Sequence, residues 1–166
     1  MTMAKGLSSG YVPLGGAGCT DRVKEPIDTF QHLHTYGNHP VACAAALKNL
    51  EIIKEENLVQ RSAEMGEYFL ERLKELEHHA IVGEVRGTGL WTAIDLTTDK
   101  KTKTLFPPSG LDSLVRRGRE KGVILKFMGR ALEFAPPLTI SRDQIDEGIK
   151  VIDECLGEEE RDMGLA

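Results

Sequence analysis

The sequence predicts an α+β fold, in which helical and strand segments are grouped rather than strictly alternating. An alanine-rich helical run begins at Pro40, and two short β-prone runs flank the tripeptide at 87–89. A final helix opens at Ser141, with Gln144 three residues later as in a capping box. The composition, 40% hydrophobic and 28% charged, is typical of a globular protein. Residues 1–39 differ from the rest, being rich in glycine and polar residues without a long helical period.

Two consecutive helices are predicted after residue 39. Pro40 suits the first turn of a helix, and the alanines that follow favour close packing against a neighbouring element. Asn57, with Gln60 three residues on, predicts a capping box that starts the second helix. Apolar residues near helical spacing continue that second helix to Leu76, with charged residues on its other face.

The middle of the chain predicts strands. Residues 81–86 and 90–96 are β-prone, and we expect Trp91 to lie in the core. Residues 97–103 are polar and rich in lysine, which predicts a solvated loop.

A third helix and a second pair of strands come next. Ser109 is expected to cap a helix that Gly122 terminates. Residues 123–127 and 131–134 predict two strands around Gly129.

The capping box at Ser141 predicts a last helix that continues through Leu156. The acidic segment 158–162 is expected to be frayed, because charged terminal residues are seldom held by packing.

Charge and composition exclude several classes of protein. With 21 Lys and Arg against 26 Asp and Glu, the net charge of −5 argues against a nucleic-acid-binding protein. No apolar run is long enough to span a bilayer, and no secretory signal is visible. The scattered residues Cys19, Cys43 and Cys155 fit unpaired thiols better than a disulfide framework or a zinc site. We therefore expect a cytoplasmic protein that interacts with neither membranes nor nucleic acid.

Lys5 is the first candidate for chemistry. It lies in a segment of small residues (MAKGLSSG, residues 3–10), where glycines allow a bulky ligand to approach the backbone. A lysine whose amine loses its proton can hold an aldehyde cofactor as a Schiff base. The alternative is an ordinary solvated loop lysine.

Thr35 belongs to a second candidate block, which leads directly into the helix at Pro40. A threonine hydroxyl and backbone N–H groups near a helix start are suitable donors to a phosphate. The alternative is an ordinary loop and helix cap.

Four segments together resemble the class III (ω-amino acid) aminotransferases, pyridoxal 5′-phosphate (PLP) enzymes of fold type I. Residues 1–15 (MTMAKGLSSGYVPLG) are similar to the family's Schiff-base lysine segment, and residues 34–42 (HTYGNHPVA) to its phosphate-threonine segment. Residues 85–90 (VRGTGL) and 134–140 (FAPPLTI) add to the resemblance. It implies that Lys5 binds PLP covalently and shuttles the substrate proton. It also implies that Thr35 binds the phosphate of PLP in the neighbouring subunit of a dimer.

Substrate-binding residues are implied less directly. Lys126 occupies the place where some ω-transaminases carry a mobile arginine for the substrate carboxylate, although a lysine loses the bidentate geometry. Glu133 stands where the ornithine and GABA branch has its carboxylate arginine, which argues against that branch. Arg130 is an alternative carboxylate partner, or a surface hairpin arginine. Arg86 is expected to be structural. Tyr11 is expected to line the substrate pocket, with packing as the alternative.

The histidines do not predict a metal site. His32, His34 and His39 are close in sequence, but their spacing is not that of a set of ligands. The pair His78-His79 is read as a helix end.

The resemblance also implies a domain organisation. Residues 1–39 correspond to a remnant of the large α/β cofactor domain, and residues 40–166 to the C-terminal small domain with the interdomain helix. That small domain has an antiparallel sheet with helices on one side. The phosphate loop, the stacking aromatic residue and the aspartate that pairs with the pyridine nitrogen would precede Lys5, so the chain is expected to be a C-terminal part.

Two hypotheses follow for its function. In the first, the chain is part of an aminotransferase that moves an amino group from an ω-amino acid or amine to an α-keto acid such as pyruvate. It would then act as a homodimer or with an N-terminal large-domain portion, and would be inactive alone. In the second, it is a non-catalytic remnant or interaction domain that does not bind cofactor by itself.

Overall fold

The computed structural model describes residues 1–29, 31 and 34–165 and divides the chain into two compact units, Met1–Leu58 and Val59–Ala166. His32, one of the histidines considered above, lies outside the described residues. The domain boundary at residue 40 stays a prediction.

The first unit combines a small sheet with short helices. Thr2 pairs with Ala17 and Met3 with Gly16 in two antiparallel strands. Pro40 occupies the first turn of the long helix, as predicted, because its fixed φ suits that position and it has no N–H to leave unpaired. The elements in chain order are β1 (Thr2–Met3), a first 3-10 helix (Lys5–Ser8), β2 (Gly16–Ala17), α1 (Asp21–Lys24) and α2 (Pro40–Glu55).

The second unit is an antiparallel sheet covered by helices. Its described elements are α3 (Leu58–Lys74), a second 3-10 helix (Glu75–His78), β3 (Val82–Thr88), β4 (Trp91–Asp99), β5 (Thr104–Leu105), α4 (Pro108–Glu120), β6 (Lys126–Met128), β7 (Ala131–Phe134) and α5 (Arg142–Asp162). The strand order is β3-β4-β7-β6, and β5 pairs with β4. Every pairing is antiparallel.

The helices pack on one face of this sheet. Along β4 the side chains of Thr92, Ile94 and Leu96 are buried, and Ile94 lies opposite Leu132 on β7. Successive residues of a strand point to opposite faces, so Trp91 and every second residue after it lie on the other face. The predicted fold, an antiparallel sheet with helices on one side, is confirmed. Fully buried residues of its core include Leu73, Ile81, Leu114, Ile145 and Leu156.

The predicted capping box at Asn57 is wrong. Asn57 has a φ of 51°, a left-handed conformation rather than the extended one of an N-cap. Its N–H donates to the Lys54 carbonyl, so Asn57 closes the end of α2. Asparagine adopts this conformation more readily than most residues, which is why it can terminate a helix. Gln60 instead pairs with Glu64 on α3.

Ser109 does not cap α4 as predicted. Pro107 is the N-cap and Pro108 the first helical residue, which places Ser109 inside the first turn. Gly122 does end the helix, with a φ of 89° that favours glycine. The box of Ser141 and Gln144 at the start of α5 is confirmed, with both reciprocal hydrogen bonds present.

Strand limits differ most from the predicted ones at two places. Residues 123–125 are not in a strand, because the Val123 N–H bonds to the Gly118 carbonyl at 2.8 Å and Leu125 packs into the core. Residues 97–99, predicted as loop, continue β4, where Thr97 pairs with Leu105.

Trp91 is not a core residue. Its side chain is 67% exposed, and its indole N–H donates to Glu133. The register of β4 is the cause, because it turns the neighbouring Thr92 toward the core and Trp91 away from it.

The acidic segment 158–162 is not frayed. It forms the last turns of α5, in which Glu159 and Glu160 are buried. Arg117 supplies the opposite charge, and His79 a hydrogen bond to Glu160, that hold it there. Because these partners are distant in sequence, no local pattern indicated that the segment is ordered.

Within the part of the chain that the structure describes, no helix is long and apolar enough to cross a membrane. The three cysteines are unpaired, as predicted: Cys19 is exposed, Cys43 half-buried and Cys155 buried.

Candidate functional site

Lys5 begins the first 3-10 helix in a strained backbone conformation. Its φ is 53°, in the left-handed region that non-glycine residues seldom occupy. Ser9 and Gly10, at the other end of this turn, also have positive φ values. Backbone strain of this kind is found disproportionately at active sites, where surrounding structure must hold it in place.

Asn49 on α2 holds this turn. Its side-chain Nδ2 donates to the carbonyls of Gly6 at 2.9 Å and Leu7 at 3.2 Å. Ser8, which is almost fully buried, donates from Oγ to the Val12 carbonyl and braces the following loop. Sequence reasoning missed Asn49 because its partners are 42 and 43 residues away and no local pattern connects them.

A cavity of about 570 Å³, here called the Lys5 hollow, opens beside the lysine and is lined by Lys5, Ser8, Gly10, Val12, Pro13, Leu14 and Gly15. This volume is within the range of small-molecule sites. A Cβ atom placed on Gly6 or Gly10 would meet nothing within 4 Å, so there is open room around the turn. Among the described residues, none forms a hydrogen bond or ion pair with the Lys5 ammonium.

Tyr11, the predicted pocket residue, does not line the Lys5 hollow. Its side chain is 85% exposed, and the lining passes from Gly10 to Val12.

Thr35 lies in the exposed turn that precedes α2. Asn38 in this turn has a φ of 57°, and the Gly37 N–H donates to the His34 carbonyl. No described residue bonds to the Thr35 hydroxyl, so the hydroxyl is available to a ligand. The structure places Thr35 and Lys5 in the same compact unit. That Lys5 binds PLP and that Thr35 binds the phosphate of PLP in a neighbouring subunit both stay predictions.

Lys126 on β6 and Glu133 on β7 form a cross-strand pair. No sequence pattern indicated that these two residues are neighbours. Lys126 Nζ lies 3.7 Å from Glu133 Oε2, and the lysine side chain is 70% exposed. The other carboxylate oxygen of Glu133 accepts the Trp91 indole N–H at 2.7 Å. Glu133 therefore neutralises the lysine that was proposed to bind a substrate carboxylate.

The exposed sheet face carries a second cavity of about 570 Å³, the sheet hollow, to which Arg86, Trp91, Thr92, Met128 and Glu133 contribute. The Thr92 hydroxyl oxygen is buried on the opposite, helix-covered face of the sheet and has no hydrogen-bond partner among the described residues.

Arg86 has the structural role expected of it. Its guanidinium donates to both carboxylate oxygens of Asp95, at 2.6 and 3.1 Å, across β3 and β4. This bidentate hydrogen bond holds the pKa of Asp95 below its ordinary value, with a smaller contribution from the charge of Arg130. Arg130 lines a separate, small cavity of about 130 Å³ near Asp95. It is half-buried rather than a fully exposed hairpin residue.

Comparison with known proteins identifies the class to which this fold and these segments belong. The family model for aminotransferase class-III matches residues 1–156. The chain belongs to the class-III aminotransferase family, as the resemblance in four segments predicted.

Named relatives agree with this family. The chain is 40% identical over 161 residues to putrescine–pyruvate aminotransferase of Pseudomonas aeruginosa, covering 94% of this chain and 35% of that protein. Among solved structures, an (S)-enantioselective ω-transaminase from Thermomicrobium roseum matches with a TM-score of 0.88 and 43% identity, over 95% of this chain and 37% of the other. A PLP-bound amine transaminase from an uncultivated Pseudomonas species matches with a TM-score of 0.90 and 35% identity, over 95% and 38% of the two chains.

The chain spans about a third of the length of the curated relatives it matches. The activity, substrates and partners of a whole enzyme are therefore matters of proposal for this chain.

Proposed function

We propose that this chain carries the cofactor lysine of a PLP-dependent aminotransferase, which transfers an amino group from an ω-amino acid or amine to an α-keto acid such as pyruvate. The observation that carries the proposal is the setting of Lys5. Its backbone is held in a left-handed conformation, and its ammonium, unpaired within the described residues, borders the Lys5 hollow. Family membership makes this the preferred chemistry for such a lysine.

The residues present fit PLP. The open space beside Gly6 and Gly10 leaves room for a flat ring in the Lys5 hollow, and the Thr35 hydroxyl can donate to the phosphate of PLP in a neighbouring subunit. When bound, PLP supplies an electron sink that lets a C–H bond beside the amino nitrogen ionise. Lys5 Nζ would hold the cofactor covalently and, as a free amine, accept and return the substrate proton.

Solvent exposure limits what Lys5 can do within this chain by itself. Water stabilises the ammonium form, whereas a covering protein surface that excludes water would favour the neutral, nucleophilic amine. We therefore expect weak PLP binding by the isolated chain and stronger binding when an N-terminal large-domain portion or a second subunit covers Lys5. Residues 1–39 would then belong to the large cofactor domain and residues 40–166 to the small domain.

The substrate side of the proposal rests on Lys126, with Tyr11 as a second contact. A lysine recognises a carboxylate as a point charge, without the two parallel hydrogen bonds of an arginine. Glu133 already lies 3.7 Å from Lys126 Nζ, so a substrate carboxylate would have to compete with it. We propose an ω-amino acid or amine as donor and pyruvate as acceptor, and pyruvate, which has a carboxylate, would have to compete with Glu133 in this way. A cytoplasmic location and a homodimer complete the proposal.

A non-catalytic interaction domain is the second candidate, and one observation favours it. On α2 the residues Leu47 and Leu50, three apart and so on one face, are 63% and 47% exposed, which is unusual for apolar residues of a helix. An interaction domain would use this face without binding PLP.

Covalent trapping separates the two candidates. The chain is incubated with PLP, alone or with the N-terminal portion of the P. aeruginosa relative, then reduced with borohydride and digested. Mass spectrometry locates the pyridoxyl group on individual lysines. We expect labelling of Lys5 to exceed that of Lys24, an exposed lysine of the same unit, and to increase when the N-terminal portion is present.

Lys5→Ala is expected to remove this labelling and any alanine formation from an amine and pyruvate. Lys24→Ala is the matched control and should change neither. If Lys5 is labelled no more than Lys24 with or without the N-terminal portion, the aminotransferase proposal is wrong and the interaction domain is favoured.

A further inference from the structure

Two histidines and an aspartate meet where the second 3-10 helix ends against α5. Asp153 Oδ1 lies 2.9 Å from His79 Nε2 and 3.6 Å from His78 Nε2. The ligand atoms of the three side chains all lie within 4.8 Å of one another. The sequence did not predict this cluster, because Asp153 is 74 residues from His79.

The other ring nitrogen of each histidine has its own acceptor. His79 Nδ1 lies 2.8 Å from Glu160 Oε2, and His78 Nδ1 lies 2.7 Å from the Glu75 carbonyl. An N–H on Nδ1 in both rings satisfies these contacts and leaves both Nε2 atoms unprotonated, within 4.8 Å of each other and of an Asp153 oxygen. Histidines that bind metals are usually oriented in this way, by a carboxylate or carbonyl on the second nitrogen.

Glu160 is itself fixed in position. It is buried, and its second oxygen accepts the Ile81 N–H at 3.2 Å. The Glu160 carboxylate therefore stands behind His79 and fixes the orientation of its ring.

We propose that His78 Nε2, His79 Nε2 and the Asp153 carboxylate bind a divalent transition-metal ion, with Zn²⁺ the best fit. Imidazole nitrogens and a carboxylate oxygen are ordinary zinc ligands, and a water molecule would complete a tetrahedron. Donor atoms around tetrahedral zinc lie roughly 3.4 Å apart. The distances from Asp153 Oδ1 to the two Nε2 atoms fall on either side of this value. The site is independent of the proposed aminotransferase activity.

A His79 ring hydrogen-bonded to both Asp153 and Glu160, without a metal ion, is the competing explanation. It accounts for both contacts of His79 but not for the second imidazole, which approaches the same Asp153 oxygen with its ring centroid 4.1 Å from that of His79. A metal ion accounts for all three side chains.

The surroundings permit a cation. A hollow of about 440 Å³ beside the cluster gives solvent access, and His78 and Asp153 are among its lining residues. Two cationic side chains, Arg72 and Lys150, also line it, and Arg72 is already paired with Glu75 and Asp146. A bound ion would tie α5 to the segment that enters β3.

Metal titration of the 166-residue chain tests the proposal. Zn²⁺ binding is measured by calorimetry, and Co²⁺ is used as a visible-absorbance probe of the ligand geometry. We expect one saturable ion per chain, a tetrahedral Co²⁺ spectrum, and an upward shift of the thermal midpoint with Zn²⁺. His78→Ala and Asp153→Asn should each weaken binding about tenfold or more and remove the thermal shift.

Both variants change partly exposed side chains, 64% and 47% accessible, so folding should survive and is checked by the midpoint without metal. His78→Gln is the reserve if His78→Ala does not fold. Glu154→Gln, next to Asp153 on α5 but directed to Lys121, is the matched control and should bind as the parent does. Absence of saturable binding, or equal binding by parent, His78→Ala and Asp153→Asn chains, would overturn the site.

Discussion

The side-chain amide of Asn49 donates to the Gly6 carbonyl at 2.9 Å and thereby fastens the turn that presents Lys5 to α2. The same helix begins just after the turn that contains Thr35. One helix thus supports both segments that the family resemblance connects with the cofactor. If PLP binds here, the position of α2 will decide how well Lys5 is presented.

Asn49→Ala should loosen the Lys5 turn without unfolding the first unit. Two hydrogen bonds are lost, but they are largely exposed, and each contributes about 1 kcal/mol or less to stability. We expect faster hydrogen exchange at the Leu7 and Ser9 amides, whose bonds close the 3-10 helix. Exchange measured by NMR or mass spectrometry reports this directly.

Lys48→Ala is the control for that change, because Lys48 pairs with Glu51 and Glu55 on its own helix. It should leave exchange at Leu7 and Ser9 unchanged. Equal exchange in the Asn49→Ala and parent chains would show that Asn49 does not hold the turn.

Arg117→Met should destabilise the second unit by about 3 kcal/mol. Arg117 is only 15% exposed and pairs with Glu158, Glu159 and Asp162 on α5. Its loss leaves the buried Glu159 carboxylate, 3.6 Å from Arg117 Nε, without its countercharge. Breaking one side of a buried ion pair is costly for this reason. Urea unfolding followed by circular dichroism measures the loss.

The adjacent Arg116 provides the contrast. Its pair with Glu120 has both side chains about 60% exposed, so Arg116→Ala should change stability by about 0.5 kcal/mol or less. Similar losses of stability in the two variants would mean that the ion pairs of Arg117 stabilise the protein no more than an exposed surface pair does.

Gly66→Ala should destabilise α3 packing severely, by about 3 kcal/mol or more. A Cβ at Gly66 would lie 2.2 Å from the Gly89 backbone carbon, and the backbone of the β3–β4 turn cannot move aside cheaply. Gly148→Ala on α5 is the matched control, since its Cβ meets nothing within 4 Å. It should stabilise by about 0.5–1 kcal/mol through helix propensity. Thermal midpoints that move in the same direction for both variants would contradict this packing.

Acidification should remove the contribution of the Arg86–Asp95 pair. The pKa of Asp95 is lowered from its ordinary value of 3.8, chiefly by the hydrogen bond from Arg86. The pair therefore stabilises the protein above that value, and the stabilisation is lost as pH falls through the lower pKa of the folded state. Asp95→Asn should cost about 1 kcal/mol at neutral pH and lose less stability on acidification than the parent.

Urea midpoints at neutral pH and about pH 3 measure the effect of Asp95→Asn. Arg86→Met should reproduce the flattened acid dependence, because it removes the same bond from the other side. An acid dependence as steep as the parent's in both variants would place the responsible carboxylate elsewhere.

Local sequence rules were sufficient where the signal is short-range. Pro40, Gly122 and the Ser141–Gln144 box define helix ends that the structure confirms, because each acts through its own backbone and its nearest turn. Local rules were insufficient where two elements share a junction. Asn57 was read as the start of α3, yet it ends α2, since a single residue can satisfy only one of the two conformations.

The residues of the candidate site also fall into those that a short segment indicates and those that only the folded chain reveals. Lys5 and Thr35 were found from short segments, and their assignment to a cofactor site remains a prediction. Asn49 and the Lys126–Glu133 pair required the folded chain, because no sequence pattern connects residues on separate elements.

The sequence by itself determined the family, the fold class and most helix limits, because these depend on motif identity and on local periodicity. Only the tertiary structure decided that Trp91 faces outward, that the acidic end of α5 is buried and that His78, His79 and Asp153 meet. The physical reason is that burial and charge pairing depend on strand register and on contacts between distant elements. A strand that alternates its faces can place either of two neighbouring residues inside, and only its pairing with the rest of the sheet selects one.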